Sequence, residues 1–216
     1  MILKKIEDFH SSEFKKSLDI YKSSFPSNET RPVEKVVKML RDDKDYHLFV
    51  AINNSSVVGI SLLYAFRSLH IRLLDYMAVD PNYQRRGIGK ELFRFTIQKL
   101  RSQIPLVIGL IMEIQKENVP DPHDHLMRKD RIRFYRELGA KVLDGVNYLL
   151  PSQNRGKPEE MYLMIVPLTE MHSLPKRSVI QYVSAIYSTI YQYESKDLPN
   201  VVFGNVPATI KFSDVG

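Results

Sequence analysis

The sequence contains no cysteine, which excludes disulfides, thiolate metal sites and a cysteine nucleophile. No apolar run approaches the ~18–20 residues needed to span a bilayer, so no membrane partner is expected. There is no internal repeat and no low-complexity tract. A long basic run is missing too. The net charge of +6, with a sequence pI near 9.3, is spread from end to end. A generally basic surface therefore outweighs a nucleic-acid partner, which stays the minority reading. The opening Met1-Ile2-Leu3-Lys4-Lys5-Ile6-Glu7 is charged too early and too often for a signal peptide, and the cytoplasm is the expected compartment.

What is present is ordinary in bulk and specific in one place. The 216 residues are 44% hydrophobic and 26% charged, enough for one domain with its own core and a small terminal addition. The specific stretch runs from Leu73 through Met77-Ala78-Val79-Asp80-Pro81 to Gln84-Arg85-Arg86-Gly87-Ile88-Gly89-Lys90-Glu91-Leu92. An apolar strand ends at Asp80-Pro81, a basic loop follows, and a helix opens directly out of it. Glycine lets a bulky anion approach the backbone, and the helix adds unpaired N-terminal amides and the positive end of its dipole. Arg85, Arg86 and Lys90 add positive charge. The segment reads as a pyrophosphate cradle.

Two common cradles are ruled out. A P-loop needs Ser or Thr after the lysine, where this chain has Glu91. A dinucleotide fingerprint needs a third glycine, where this chain has Leu92. The remaining pattern, Gln84-Arg85-Arg86-Gly87-Ile88-Gly89 between a strand and a helix, resembles the signature of the GNAT superfamily of acyl-coenzyme A-dependent N-acetyltransferases. A second element, Phe134-Tyr135 followed by Gly139-Ala140, resembles the family's Tyr-x-x-x-Gly helix end.

The coarse periodicity agrees with that resemblance. A first strand is expected from Ile2 to Phe9, a helix from Ser11 to Phe25, and a second helix from Pro32 through Leu40. Tyr46–Ile52 and Val57–Tyr64 form a hairpin around Asn53-Asn54-Ser55-Ser56. A strand from His70 to Val79 leads into the loop, and a helix runs from Gly87 to about Ser102. Leu106–Ile114 reads as a buried strand. A helix stopped by Gly139 follows, then strands Ala140–Leu150 and Met161–Leu168. The implied fold is α/β (α+β), a central, mixed, mostly antiparallel splayed sheet flanked by helices. Residues 1–168 form the acetyltransferase domain, and residues 169–216 a C-terminal extension. Lys176–Tyr193 has an amphipathic helical pattern, with Val201-Val202-Phe203 and Ala208-Thr209-Ile210 as an added strand or hairpin. Docking on the domain's own surface, a homodimer interface and a wall of the acceptor pocket all remain open for it.

The resemblance implies acetyl-coenzyme A as cosubstrate, no metal, and transfer to a primary amine by direct attack in a ternary complex. It places the pantetheine arm on the backbone of Met77, Ala78 and Val79, with an N–H near Val79 facing the thioester oxygen. It assigns Tyr135 to protonating the leaving thiolate, which suits a phenol of pKa ~10. The family often has an asparagine and an alanine where this helix has Arg128 and Arg131. Those arginines either meet the cofactor's phosphates or, as the preferred reading, lie on a solvated face. Glu113, a carboxylate inside the apolar run Leu110–Ile114, is the candidate base, ammonium anchor or structural partner. Glu29 and Arg31, between the first two helices, are candidates for the acceptor site. Asp121, His123, Asp124 and His125 invite a metal reading, but a short His-x-His is weak evidence and a lid or recognition loop is preferred. The alternatives to acetyl transfer are a longer acyl donor and a non-catalytic coenzyme A-binding regulator.

Overall fold

The structure, a computed structural model, describes residues 1–25, 30–103, 106–151, 159–193, 202–204 and 206–214. It divides into two compact units, Met1–Phe66 with Arg72–Val107, and Arg67–Ile71 with Ile108–Gly216.

In the first unit the strands β1 (Ile2–Lys5), β2 (Tyr46–Asn53), β3 (Ser56–Phe66) and β4 (Ile71–Val79) lie side by side in that order. The β2–β3 hairpin turns through Asn54 and Ser55, both at positive φ, which matches the twist of antiparallel strands. Alternation then sorts the side chains. Leu48, Val50, Ile60 and Leu62 meet Phe14, Ile20 and Tyr21 of α1 (Ser12–Ser24) and Val36 and Leu40 of α2 (Val33–Asp42). Ala51 and Val58 meet Ile88 and Leu92 of α3 (Ile88–Arg101) instead. Helix α1 starts cleanly because the Ser11 hydroxyl accepts the Phe14 N–H at 3.2 Å, a side-chain N-cap.

The chain between α1 and α2 is fastened by a buried polar cluster. The Arg31 guanidinium pairs with the Asp75 carboxylate on β4, with side-chain exposures of 0% and 2%. Tyr46 also donates to Asp75, and Arg31 donates to the Tyr46 oxygen at 3.2 Å. The backbone is held as well. The Tyr21 phenol donates to the Arg31 carbonyl at 3.0 Å, and the Arg31 N–H donates to the Tyr76 oxygen at 3.3 Å. Burial and then the Asp75 charge push the Tyr46 phenol well above its ordinary pKa, so it remains a donor.

The second unit is built on β5 (Gly109–Gln115) and β8 (Glu159–Pro167), paired antiparallel with Glu113 opposite Leu163 and Gln115 opposite Met161. Beyond β8 come β6 (Lys141–Leu143), β10 (Thr209–Ser213) and β9 (Ser173–Pro175), while β7 (Tyr148–Leu150) also pairs with β8. The two remaining helices are α4 (Pro122–Glu137) and α5 (Lys176–Ile186). Helix α5 runs straight into a wider π-helical turn over Tyr187–Tyr191, closed by Gln192 at φ 54.

Several boundaries differ from the sequence expectation for local reasons. The first strand ends at Lys5 rather than Phe9, because Asp8 accepts the Ser11 N–H and begins the α1 cap. The strand expected from Leu106 starts at Gly109, and Leu106 is exposed. The strand expected over Ala140–Leu150 breaks into β6 and β7 at Gly145, whose φ of 74° turns the chain. Val202 and Phe203 are helical rather than extended. Val201 and the turn at 152–158 lie outside the described residues. The strand expected at Ala208–Ile210 exists as β10, pairing with β6 and β9. Gly139 stops α4 as expected. With φ at 92° it lets the Gly139 N–H reach the Arg136 carbonyl at 2.9 Å, and the Ala140 N–H reach the Tyr135 carbonyl at 3.0 Å. This is the Schellman closure.

Removing one member of a buried ion pair leaves the other charge uncompensated. Arg31→Met should therefore cost about 3–5 kcal/mol in urea unfolding, and Arg31→Met with Asp75→Leu should recover most of that loss. Equal losses in the single and double variants would show that the pair's charge is not what the fold answers to.

Candidate active site

The glycine loop begins where β4 is stopped. The Asp80 carboxylate accepts the Asn82 N–H at 3.0 Å, and Pro81 opens one tight turn, Pro81–Tyr83. Gln84 then folds back, its side-chain amide donating to the Val79 carbonyl at 3.1 Å. Arg85 at φ 60° and Gly87 at φ 81° take left-handed conformations. Such residues turn neighbouring N–H groups to one side and make an anion-binding concavity.

Helix α3 opens from Gly87 with no side-chain cap, and the first N–H to bond back is that of Glu91, to the Gly87 carbonyl at 3.1 Å. The amides of Ile88, Gly89 and Lys90 precede that bond and are the helix's N-terminal donors. A Cβ built on Gly87 would meet nothing within 4 Å, so the cradle is open at its floor. Arg85, Arg86 and Gly87 are exposed, Gly89 and Lys90 are half-buried, and Ile88 is buried. The Arg86 guanidinium lies 5.3 Å from the Tyr83 ring centroid. The residues present fit a pyrophosphate. Upstream, Met77 and Val79 pack toward α3 with Ala51 and Val58, whereas Tyr76 and Ala78 pack toward the α1–α2 layer.

In the second unit Tyr135 sits in the last turn of α4, 7% exposed. Burial pushes its phenol up to about 12, with the Arg131 charge pulling slightly the other way. It keeps its proton at any working pH.

Glu113 is half-buried on β5 and gripped by two phenols. Tyr148 of β7 donates to its Oε1, and Tyr191 of the π turn donates to its Oε2 at 2.8 Å. Tyr187 fills the space beside them, its ring 5.4 Å from that of Tyr148 and 6.2 Å from that of Tyr191. Its hydroxyl donates to the Leu149 carbonyl. Burial, followed by the Glu113 charge, raises the phenol of Tyr148 and that of Tyr187. Tyr148 and Tyr191 lie 35 and 78 residues from Glu113, so sequence reasoning missed both. The only signal was the run of tyrosines on the C-terminal helical pattern.

The other candidates are placed as follows. Glu29 lies outside the described residues. Arg31 is buried against Asp75. Arg128 is not simply solvated: it pairs with Glu159 at 2.8 Å and donates to the Lys116 carbonyl at 3.2 Å. Arg131 reaches Gln115 at 2.6 Å. Both stitch α4 to the sheet strands below it. The ligand atoms of Asp121, His123 and Asp124 lie within 4.8 Å of one another at an exposed helix start. There the Asp121 carboxylate is already engaged as the α4 cap, accepting the Asp124 N–H at 2.8 Å, and His125 lies 2.8 Å from the Glu117 carbonyl. Among the described residues no helix is long and apolar enough to cross a membrane.

Comparison with known proteins follows the same lines. No curated protein matches the sequence. Among solved structures the chain is similar to a protein of Bacteroides thetaiotaomicron assigned to the GNAT family, with a TM-score of 0.73 at 17% identity, covering 90% of this chain and 100% of that one. It is also similar to the ribosomal-protein-S18-alanine N-acetyltransferase of Escherichia coli, with a TM-score of 0.57 at 20% identity, over 79% and 95% of the two chains. An aminoglycoside 6'-N-acetyltransferase complexed with coenzyme A gives a TM-score of 0.60 at 14% identity, over 79% and 99%. At such identities these likenesses speak to the fold. Membership rests on the family model for the acetyltransferase (GNAT) family, which matches residues 14–140. With the glycine loop and the Tyr135–Gly139 helix end both inside that span, the chain belongs to the GNAT acetyltransferase family.

Proposed function

We propose that the protein transfers an acetyl group from acetyl-coenzyme A to a primary amine of a small molecule or protein, by direct attack in a ternary complex. The observation that carries this reading is the open, uncapped start of α3 beneath a loop with two left-handed residues. Backbone amides and a helix dipole face open space there, an arrangement that suits phosphate oxygens. One of the structurally similar enzymes is described as an aminoglycoside 6'-N-acetyltransferase complexed with coenzyme A, which supports the same cosubstrate here.

The cosubstrate supplies an activated thioester; the chain supplies binding, polarisation and proton handling. Gln84, Arg85, Arg86, Gly87, Ile88, Gly89 and Lys90 hold the pyrophosphate through backbone amides and added positive charge. The backbone of Met77, Ala78 and Val79 receives the pantetheine arm as an added strand would be received, and the N–H near Val79 polarises the carbonyl. Tyr135, protonated in the resting protein, delivers its proton to the thiolate as the carbon–sulfur bond breaks, and the proton that the attacking amine gives up returns to it through solvent. Glu113 meets the acceptor's amino group. The extension over residues 169–216 belongs to this reading through Tyr191, which reaches Glu113.

Two outcomes test the assignment. Gly89→Asp places a carboxylate where phosphate oxygens approach and avoids the strain that any side chain meets at Gly87. It should abolish coenzyme A binding by calorimetry while the melting temperature stays near wild type. Unchanged affinity would remove the cradle from the cofactor. Tyr135→Phe should lower kcat by roughly ten- to a thousandfold, the range for a lost general acid, with the coenzyme A Kd held. An unaltered kcat would make the tyrosine a packing residue.

A further inference from the structure

The side-chain charges of the glycine loop are not placed alike. Lys90 is half-buried in the first turn of α3, where its own amide is one of the helix's N-terminal donors. Arg86 is exposed, and its guanidinium lies back over the ring of Tyr83, 5.3 Å from the centroid. We infer that Arg86, held by Tyr83, is a specificity-determining residue that receives a terminal phosphate monoester, so that the site takes coenzyme A in preference to a donor lacking the 3′-phosphate. The inference rests on the proposed cosubstrate and concerns its nucleotide end.

The anchor is the ring. Tyr83 ends the Pro81–Tyr83 turn, and its N–H donates to the Asp80 carbonyl at 2.8 Å. Its half-buried side chain packs against the cluster of Ala51, Val58, Ile88 and Leu92. A ring so packed is a fixed surface. A guanidinium over such a ring is attracted by the ring's quadrupole, while the N–H donors at its edge stay available. The contact also removes side-chain freedom before any ligand arrives, a loss that a mobile arginine would meet on binding.

The loop's own acid does not claim those donors. The Asp80 carboxylate accepts the Asn82 N–H at 3.0 Å and the Asn82 side-chain amide at 3.1 Å. Lys16 of α1 pairs with its other oxygen at 3.4 Å. Among the described residues Arg86 has no carboxylate partner and no hydrogen bond, and the Tyr83 ring is its contact. Lys16 thus answers the loop's negative charge, and Arg86 stands as an available cation next to the cradle.

Coenzyme A carries two anions of different shape. Its diphosphate is a diester, with two non-bridging oxygens on each phosphorus, and suits the backbone amides of a helix start. Its 3′-phosphate is a monoester with three free oxygens and roughly 1.5 to 2 negative charges near neutral pH. A planar fork of donors matches such a group by two parallel hydrogen bonds, which an ammonium cannot do. The amides of Ile88, Gly89 and Lys90 suit the first anion. The ring-held guanidinium suits the second.

Calorimetric titration of the intact chain with coenzyme A and with 3′-dephospho-coenzyme A tests this. Wild type should bind coenzyme A roughly fivefold to thirtyfold more tightly, the range for one charge-assisted pair in a partly solvated setting. Arg86→Gln should shrink that ratio to less than about twofold and change the affinity for the dephospho ligand by less than about threefold. Tyr83→Leu, which keeps the charge and removes the ring, should cut the ratio by about threefold. The second readout is the 31P spectrum of bound coenzyme A, in which the monoester resonance is separate from those of the diphosphate. Arg86→Gln should abolish the binding shift of the monoester and keep the shifts of the diphosphate.

Equal losses for both ligands in Arg86→Gln put the guanidinium at the diphosphate and overturn the inference. A preference that survives Arg86→Gln overturns it too. So does a wild type that binds both ligands alike, an outcome that leaves the cosubstrate standing. If neither ligand binds, the proposed cosubstrate is itself wrong and the inference falls with it. A ratio untouched by Tyr83→Leu overturns the part given to the ring. Should that half-buried substitution impair folding, exposed Arg86 decides through its own variant and the phosphorus spectrum.

Discussion

A guanidinium and a carboxylate taken wholly out of water set the terms for the first unit. Neither Arg31 nor Asp75 is tolerable in that position without the other, because the desolvation of an isolated charge far exceeds what packing returns. The pair therefore dictates its surroundings. Tyr46 must present its hydroxyl, Tyr21 and Tyr76 must satisfy the Arg31 backbone, and the chain leaving α1 must come down onto β4. Tyr76 and Phe25 stack against Tyr21 and each other around this point. Asp75 lies two residues before Met77. The conformation of the strand proposed to receive the pantetheine arm is thus set by a buried polar cluster two residues upstream.

Arg31 also illustrates where a sequence is readable and where it is not. Its loop, bounded by Pro26 and Pro32, pointed to an acceptor wall, and an arginine in such a loop is ordinarily a ligand-facing or solvated side chain. Nothing local shows that it is buried, because its partner is 44 residues away on β4. The glycine loop is the opposite case. Its function is written in backbone conformation, and backbone conformation is what glycine, proline and Asp-Pro caps specify locally. The strand exit, the tight turn and the helix start were legible for that reason, as was the Schellman stop at Gly139. Boundaries were less so. Asp8 as a capping acceptor and Gly145 as a strand breaker compete with hydrophobic periodicity, and the local geometry prevailed in each case.

The tyrosine grip on Glu113 could not have been inferred from spacing. A carboxylate inside an apolar run demands a partner, and that much was visible. The expected partner was a cation, since the chain carries 31 lysines and arginines. The structure supplies neutral donors from β7 and from the π turn after α5, on segments far apart in the chain. The tyrosines had been visible as a helical stripe, which reads as core packing. Core packing is also what Tyr187 does. Tyr191, on the same stripe, has its hydroxyl turned toward a charge.

Asp75 and Glu113, two acidic side chains drawn out of water, meet the same physical demand in different ways. Asp75 faces a permanent cation, so the cluster is close to neutral and offers little to an incoming charge. It stabilises a conformation. Glu113 is met by two phenols, each donating to one carboxylate oxygen, on an otherwise apolar strand. A phenol stabilises a carboxylate by hydrogen bonding and fixes its orientation, and it brings no charge of its own. The residues beyond the span matched by the family model are therefore not an appendage, since one of their phenols, that of Tyr191, donates to a carboxylate on β5.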